Sequence, residues 1–154
     1  MKKLLTVAAL GIVSGLVSLT TLAADNWSLG GISETAAMIV DVSTIEQNRG
    51  IKGTWVVFVN PQLVDGTDYS VSWWEFNCQS KKVRITDISE RRFGVIKVGT
   101  QPDINWQRVE PNSFGEGVLN NVCKGPLAIF GSYETIEDAA WGFREKAKKV
   151  GDWK

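Results

Sequence analysis

Apolar residues along this chain recur with two different periods, and each period marks a kind of element. Over residues 51–60 (IKGTWVVFVN), Trp55, Val57 and Val59 alternate with Val56 and Phe58. Both sides of an extended chain therefore carry bulk. Such a strand belongs in the middle of a sheet with cover on each face, and Pro61 is expected to end it. Over residues 69–78 (YSVSWWEFNC), a period of two sets Tyr69, Val71, Trp73, Glu75 and Asn77 against Ser70, Ser72, Trp74, Phe76 and Cys78. Cys78 thus shares a core face with Trp74 and Phe76. Residues 81–89 alternate again, with Val83 and Ile85 inward and Lys82, Arg84 and Thr86 outward. Residues 78–81 form a hairpin connection between these two strands. Residues 36–42 read as a first strand, 91–98 as a short strand interrupted by Gly94, and 106–109 as another. The polar, Gly-rich stretch 25–35 reads as a lead-in, 43–50 as a turn and 115–122 as a helical turn.

Near the C-terminus the period changes to that of a helix. Ile136, Ala139, Ala140, Phe143, Ala147 and Val150 fall on one stripe across residues 133–150. Thr135 and Asp138 have capping-box spacing, with Asp in place of Glu. Glu145 and Lys149 stand four apart, and Gly151 stops the helix. The pattern predicts an α+β fold that is mainly β: an antiparallel sheet of about five to six strands with one C-terminal helix packed on it. That helix is expected on the face of Tyr69, Val71 and Trp73, because its apolar stripe needs a sheet to rest on.

The first 24 residues stand apart from this pattern. Lys2 and Lys3 precede an apolar run from Leu4 to Leu19, and small residues follow up to Asp25. That order is a secretory signal peptide, cleaved after Ala23 or Ala24. The run is shorter than the roughly 20 residues of a spanning helix. Residues 25–154 are then one exported domain without a membrane anchor, periplasmic, secreted or at the cell surface. No Cys near the cleavage site can take a lipid. Without Lys2 and Lys3, 15 basic residues face 17 acidic ones, a net charge of −2, which argues against a nucleic-acid partner. The chain's two cysteines, Cys78 and Cys123, are expected to join in an oxidising compartment. Closing a loop of about 46 residues contributes about 4 kcal/mol in the chain-entropy description.

Chemistry is sparse. The chain has no histidine, which removes the commonest general base and metal ligand. No Gly-rich phosphate loop precedes a helix. Glu75, Asp87, Asp103 and Glu110 are carboxylates without a spacing that pairs them. No catalytic residue, metal or cofactor is expected. Seven tryptophans are many for this length. Trp55 and Trp74 read as core. Trp73 points away from Trp74, toward the helix or toward a partner. Trp141 lies about 140° from the centre of the helical stripe, and Trp153 is positioned to fold back on it. Aromatic residues with Arg are common interface anchors, so Trp141 and Arg144, with Trp73, are the candidate binding residues.

Several of these residues recur together in a known family. The ordered set comprises 40–45 (VDVSTI), 54–57 (TWVV), 74–78 (WEFNC), 82–84 (KVR), Trp106, 109–113 (VEPNS) and 122–123 (VC). Over about residues 36–124 the chain resembles the surface-adhesin protein E family of Gram-negative bacteria. The resemblance implies a curved antiparallel sheet with a helix packed against it and a disulfide between Cys78 and Cys123. The name-giving member is a lipid-anchored surface adhesin that binds host matrix proteins such as vitronectin and laminin. The function expected here is a non-enzymatic exported module that binds a protein partner, with dimerisation through a sheet edge or face a further expectation. The alternatives are a periplasmic envelope structural or stress-related protein and a small carboxylate-based hydrolase.

Overall fold

The computed structural model describes residues 25–33, 36–64, 67–92, 95–98, 104–126 and 128–150. The expected signal peptide, Asp103 and Trp153 lie outside them. The described chain forms strands β1 (Asp25–Ile32), β2 (Ala37–Asp41), β3 (Glu46–Asn48), β4 (Ile51–Val64), β5 (Thr67–Asn77), β6 (Lys82–Arg92), β7 (Val95–Val98) and β8 (Gln107–Arg108). Helix α1 (Phe114–Lys124), strand β9 (Ile129–Tyr133) and helix α2 (Ile136–Val150) complete the order. All strands join one antiparallel sheet in the order β7-β6-β5-β4-β2-β1-β9, with β3 beside β4 and β8 beside β6.

The α+β class, the antiparallel sheet, the C-terminal helix and the disulfide agree with the sequence pattern. Strand β4 is central and covered on both faces, as its two-sided bulk requires. It runs past Pro61, but its pairing with β5 is irregular between Val59 and Val64, because proline has no N–H to give a ladder. Arg49 (φ 47°) and Gly50 (φ 82°) form the two-residue turn from β3 to β4, a pairing of left-handed residues that matches strand twist.

Four elements exceed the expectation, one of them the short strand β3 inside the stretch read as a turn. The lead-in is strand β1, with Trp27 fully buried. Strand β9 pairs with β1. The helical turn is an eleven-residue helix, α1. Ser113 caps α1, its Oγ accepting from Glu116 N at 3.2 Å, while Glu116 Oε2 accepts from Asn112 N at 2.8 Å. Gly117 lets α1 lie directly on β1: a Cβ there would come within 1.6 Å of Gly30 O. Buried Asn121 then donates through Nδ2 to Leu29 O at 2.9 Å, and its Oδ1 lies 2.7 Å from Ser28 Oγ.

The helices divide the core into two clusters on opposite faces of the sheet. On one face α1 brings Val118, Leu119 and Val122 onto Val40, Val56, Trp74 and Phe76, with Val83 and Ile85 beside them. On the other, α2 brings Ala139, Ala140, Phe143 and Ala147 onto Trp27, Ile39, Val57, Val59, Tyr69 and Val71. Thr135 Oγ1 caps α2, accepting from Asp138 N at 3.1 Å. The Cys78–Cys123 bridge (Sγ–Sγ 2.03 Å) ties the end of β5 to the last turn of α1. The 40–45 stretch builds a corner: buried Asp41 accepts from Ser43 N at 3.0 Å, and Thr54 Oγ1 donates to Asp41 O. None of the helices among the described residues is long and apolar enough to cross a membrane.

Candidate functional site

The face that carries α2 is only partly covered. Helix α2 rests over Val57, Val59, Tyr69 and Val71. Beyond Trp55 and Trp73 the same face opens into a groove of about 320 Å³ that no α2 residue lines. Register explains its composition. Glu46 stands opposite Gly53, Gly53 opposite Glu75, and Glu75 opposite Arg84. Residues directly opposite in an antiparallel ladder share a face, so these four form one row across β3, β4, β5 and β6. The next row on that face holds Trp55 and Trp73, themselves opposite one another.

Gly53 is the gap in the row, and Trp73 fills it. A Cβ at Gly53 would lie 2.7 Å from Trp73 Cζ2, so only glycine lets the indole lean across β4. Trp55 packs against that ring, with centroids 5.1 Å apart and planes at 77°, a favoured edge-to-face arrangement. Trp73 is left half-buried. Beside it Glu75 Oε2 accepts from Arg84 Nε at 2.6 Å and lies 2.5 Å from Nη2. Trp106 stacks on the guanidinium, 4.8 Å from Cζ to the ring centroid. Arg84 is thereby fixed between a carboxylate and an indole, and Glu46, Asn48 and Arg49 complete the rim.

Trp141 and Arg144 lie elsewhere. Arg144 is buried, 5 % exposed. Its Nε donates to Asn60 O at 2.9 Å, its Nη2 to Asp68 O at 2.8 Å, and Nη1 lies 3.4 Å from Asp68 Oδ1. This guanidinium clasps the β4–β5 hairpin to α2. Trp141 is 40 % exposed and stacks on it, 4.6 Å from Cζ to the ring centroid. Sequence spacing placed the two side by side; the acceptors on Asn60 and Asp68 come from far along the chain. Asp68 is five residues from Trp73 along β5, about 17 Å at strand rise, so Trp73 and Trp141 occupy separate surfaces.

Of the carboxylates singled out in the sequence, Glu75 enters the groove, where Arg84 engages it. Asp87, opposite Trp73 on β6, and Glu110 are exposed and do not line it. Among the described residues no three of His, Cys, Asp and Glu group so as to hold a metal ion. A second pocket of about 220 Å³ lies on the α1 face, where Trp74, Val83, Ile85 and Val109 meet the start of that helix. Sequence reasoning missed the groove because its members are assembled by cross-strand register. The available signal was Gly53 inside an otherwise bulky strand, a mark of close approach.

The described sheet is stapled by a disulfide, packed against α1 on one face and open beyond Trp55 and Trp73 on the other. The family model described as surface-adhesin protein E matches residues 27–124, and the chain belongs to that family. The matched span runs from β1 to the end of α1 and includes the whole groove. Neither a curated protein nor a solved structure gives a match.

Proposed function

We propose that this protein is a non-enzymatic exported module that binds a protein partner, acting after removal of residues 1–24 in the periplasm, in the medium or at the cell surface. The observation that carries the reading is Trp141. It is a large aromatic side chain left 40 % exposed on a helix whose Ala139, Ala140, Phe143 and Ala147 are buried. Arg144 holds its ring in place from beneath, so little side-chain freedom is lost on contact. Membership in an adhesin family and the absence of histidine support binding over bond-breaking. Trp73 offers a second contact surface in the groove.

Immobilised vitronectin and laminin provide the test. The processed protein is expected to bind at least one of them saturably. Trp141→Ala is expected to weaken that binding about thirtyfold, the loss of an anchor of about 2 kcal/mol, with the unfolding midpoint little changed. Absence of saturable binding to both, or unaltered binding by Trp141→Ala, contradicts the proposal.

A further inference from the structure

We propose that the groove over Gly53 is a glycan site that takes a neutral oligosaccharide, with one sugar ring stacked on Trp73. The inference rests on the reading above only in treating the groove as a contact surface. Three features lead to it.

The first is the mixture of polar groups. Glu46 and Glu75 accept hydrogen bonds, Arg49 and Arg84 donate them, and Asn48 does both. A phosphate or sulfate in this groove meets two carboxylates, and an amine meets two guanidinium groups. Neither sign of ligand is matched. Hydroxyl groups are, because each donates and accepts. The Glu75–Arg84 pair makes this concrete. Both of its contacts use Glu75 Oε2. Among the described residues that leaves Glu75 Oε1 as an acceptor and Arg84 Nη1 as a donor. Sugar hydroxyls can serve both.

The second is the aromatic floor. The negative face of an indole attracts the slightly positive C–H groups that line one side of a pyranose. Trp73 is braced by Trp55 and seated over Gly53, so its ring is in place before a ligand arrives. The third is the backbone. Strands β4, β5 and β6 are paired with one another beneath the groove, and β3 is three residues long. On the β3 side of the groove an extended peptide finds an edge of only three residues to pair with. The volume of about 320 Å³ lies at the small end of ligand clefts and suits a disaccharide.

The test is a nuclear magnetic resonance titration of the processed protein with neutral disaccharides: cellobiose, chitobiose, maltose and lactose. At least one is expected to shift the Trp73 ring and Arg84 side-chain signals saturably below about 10 mM, with a Kd of about 1 mM or tighter. Trp73→Ala should weaken that Kd at least about tenfold. Glu46→Ala, an exposed change that leaves the core alone, should weaken it about threefold and decides the matter if Trp73→Ala does not fold. No saturable shift with any of the four, or shifts centred outside the groove, overturns the proposal. So does a Kd unaltered by Glu46→Ala together with one unaltered by Trp73→Ala or a Trp73→Ala protein that fails to fold. If sugars fail while the protein still binds vitronectin or laminin, the glycan site is refuted and the protein-binding reading stands.

Discussion

The two faces of this sheet are closed by helices of different kinds. On one face, α1 is held by a covalent bond, by backbone contact at Gly117 and by a buried amide, Asn121. On the other, α2 is held by small apolar residues, a ring cluster of Phe130, Tyr133 and Phe143, and the Arg144 clasp. The first helix lies within the family match and the second outside it. The first face is given over to stability. The second is divided: half is core under α2, and half is the groove with Trp73, Glu75 and Arg84. Strands provide a rigid floor for such a groove only when their other side is well packed, and α1 supplies that packing.

This contrast can be broken face by face. The largest effect is expected from Cys78→Ser, which releases α1 and restores about 46 residues of chain freedom to the unfolded state. A loss of up to about 4 kcal/mol is expected from urea unfolding. Amide exchange should rise in α1 and at Gly30 before it rises in α2. Equal loosening of both helices would show that the faces are not separable.

Arg144→Ala acts on the other face and is expected to cost about 3 kcal/mol, because the buried contacts of the guanidinium with Asn60 and Asp68 are lost. It should also free the Trp141 ring while leaving the groove signals of Trp73 unmoved. A shift at Trp73 as large as that at Trp141 would join two surfaces that the structure keeps apart.

Much of the fold was legible in the pattern of residues. Period two assigned Trp74, Phe76 and Cys78 to one face and Tyr69, Val71 and Trp73 to the other, and the helical stripe included Ala139, Ala140, Phe143 and Ala147, which are buried. Glycine hid the rest. Gly30 and Gly31 weaken the strand signal of β1, and Gly115 and Gly117 weaken the helix signal of α1. Gly30, Gly31 and Gly117 are glycine because α1 and β1 touch, a fact of tertiary packing. The Ser113–Glu116 capping spacing was the overlooked local cue. For the site, neighbours on one helix were readable, as with Trp141 and Arg144. The burial of Arg144 was not, because Asn60 and Asp68 reach it across 84 and 76 residues of sequence. The groove was hidden for the same reason, since strand register decides which side chains meet.

The central claim is that, among the described residues, the α2 face stands open to solvent beyond Trp55 and Trp73, whereas Trp27 and Trp74 are buried. Line broadening of the tryptophan ring protons by a soluble neutral gadolinium chelate tests it directly. The account predicts strong broadening for Trp73 and Trp141 and sharp signals for Trp27 and Trp74, which are 0 % and 8 % exposed. A Trp73 ring as protected as Trp27 would contradict it.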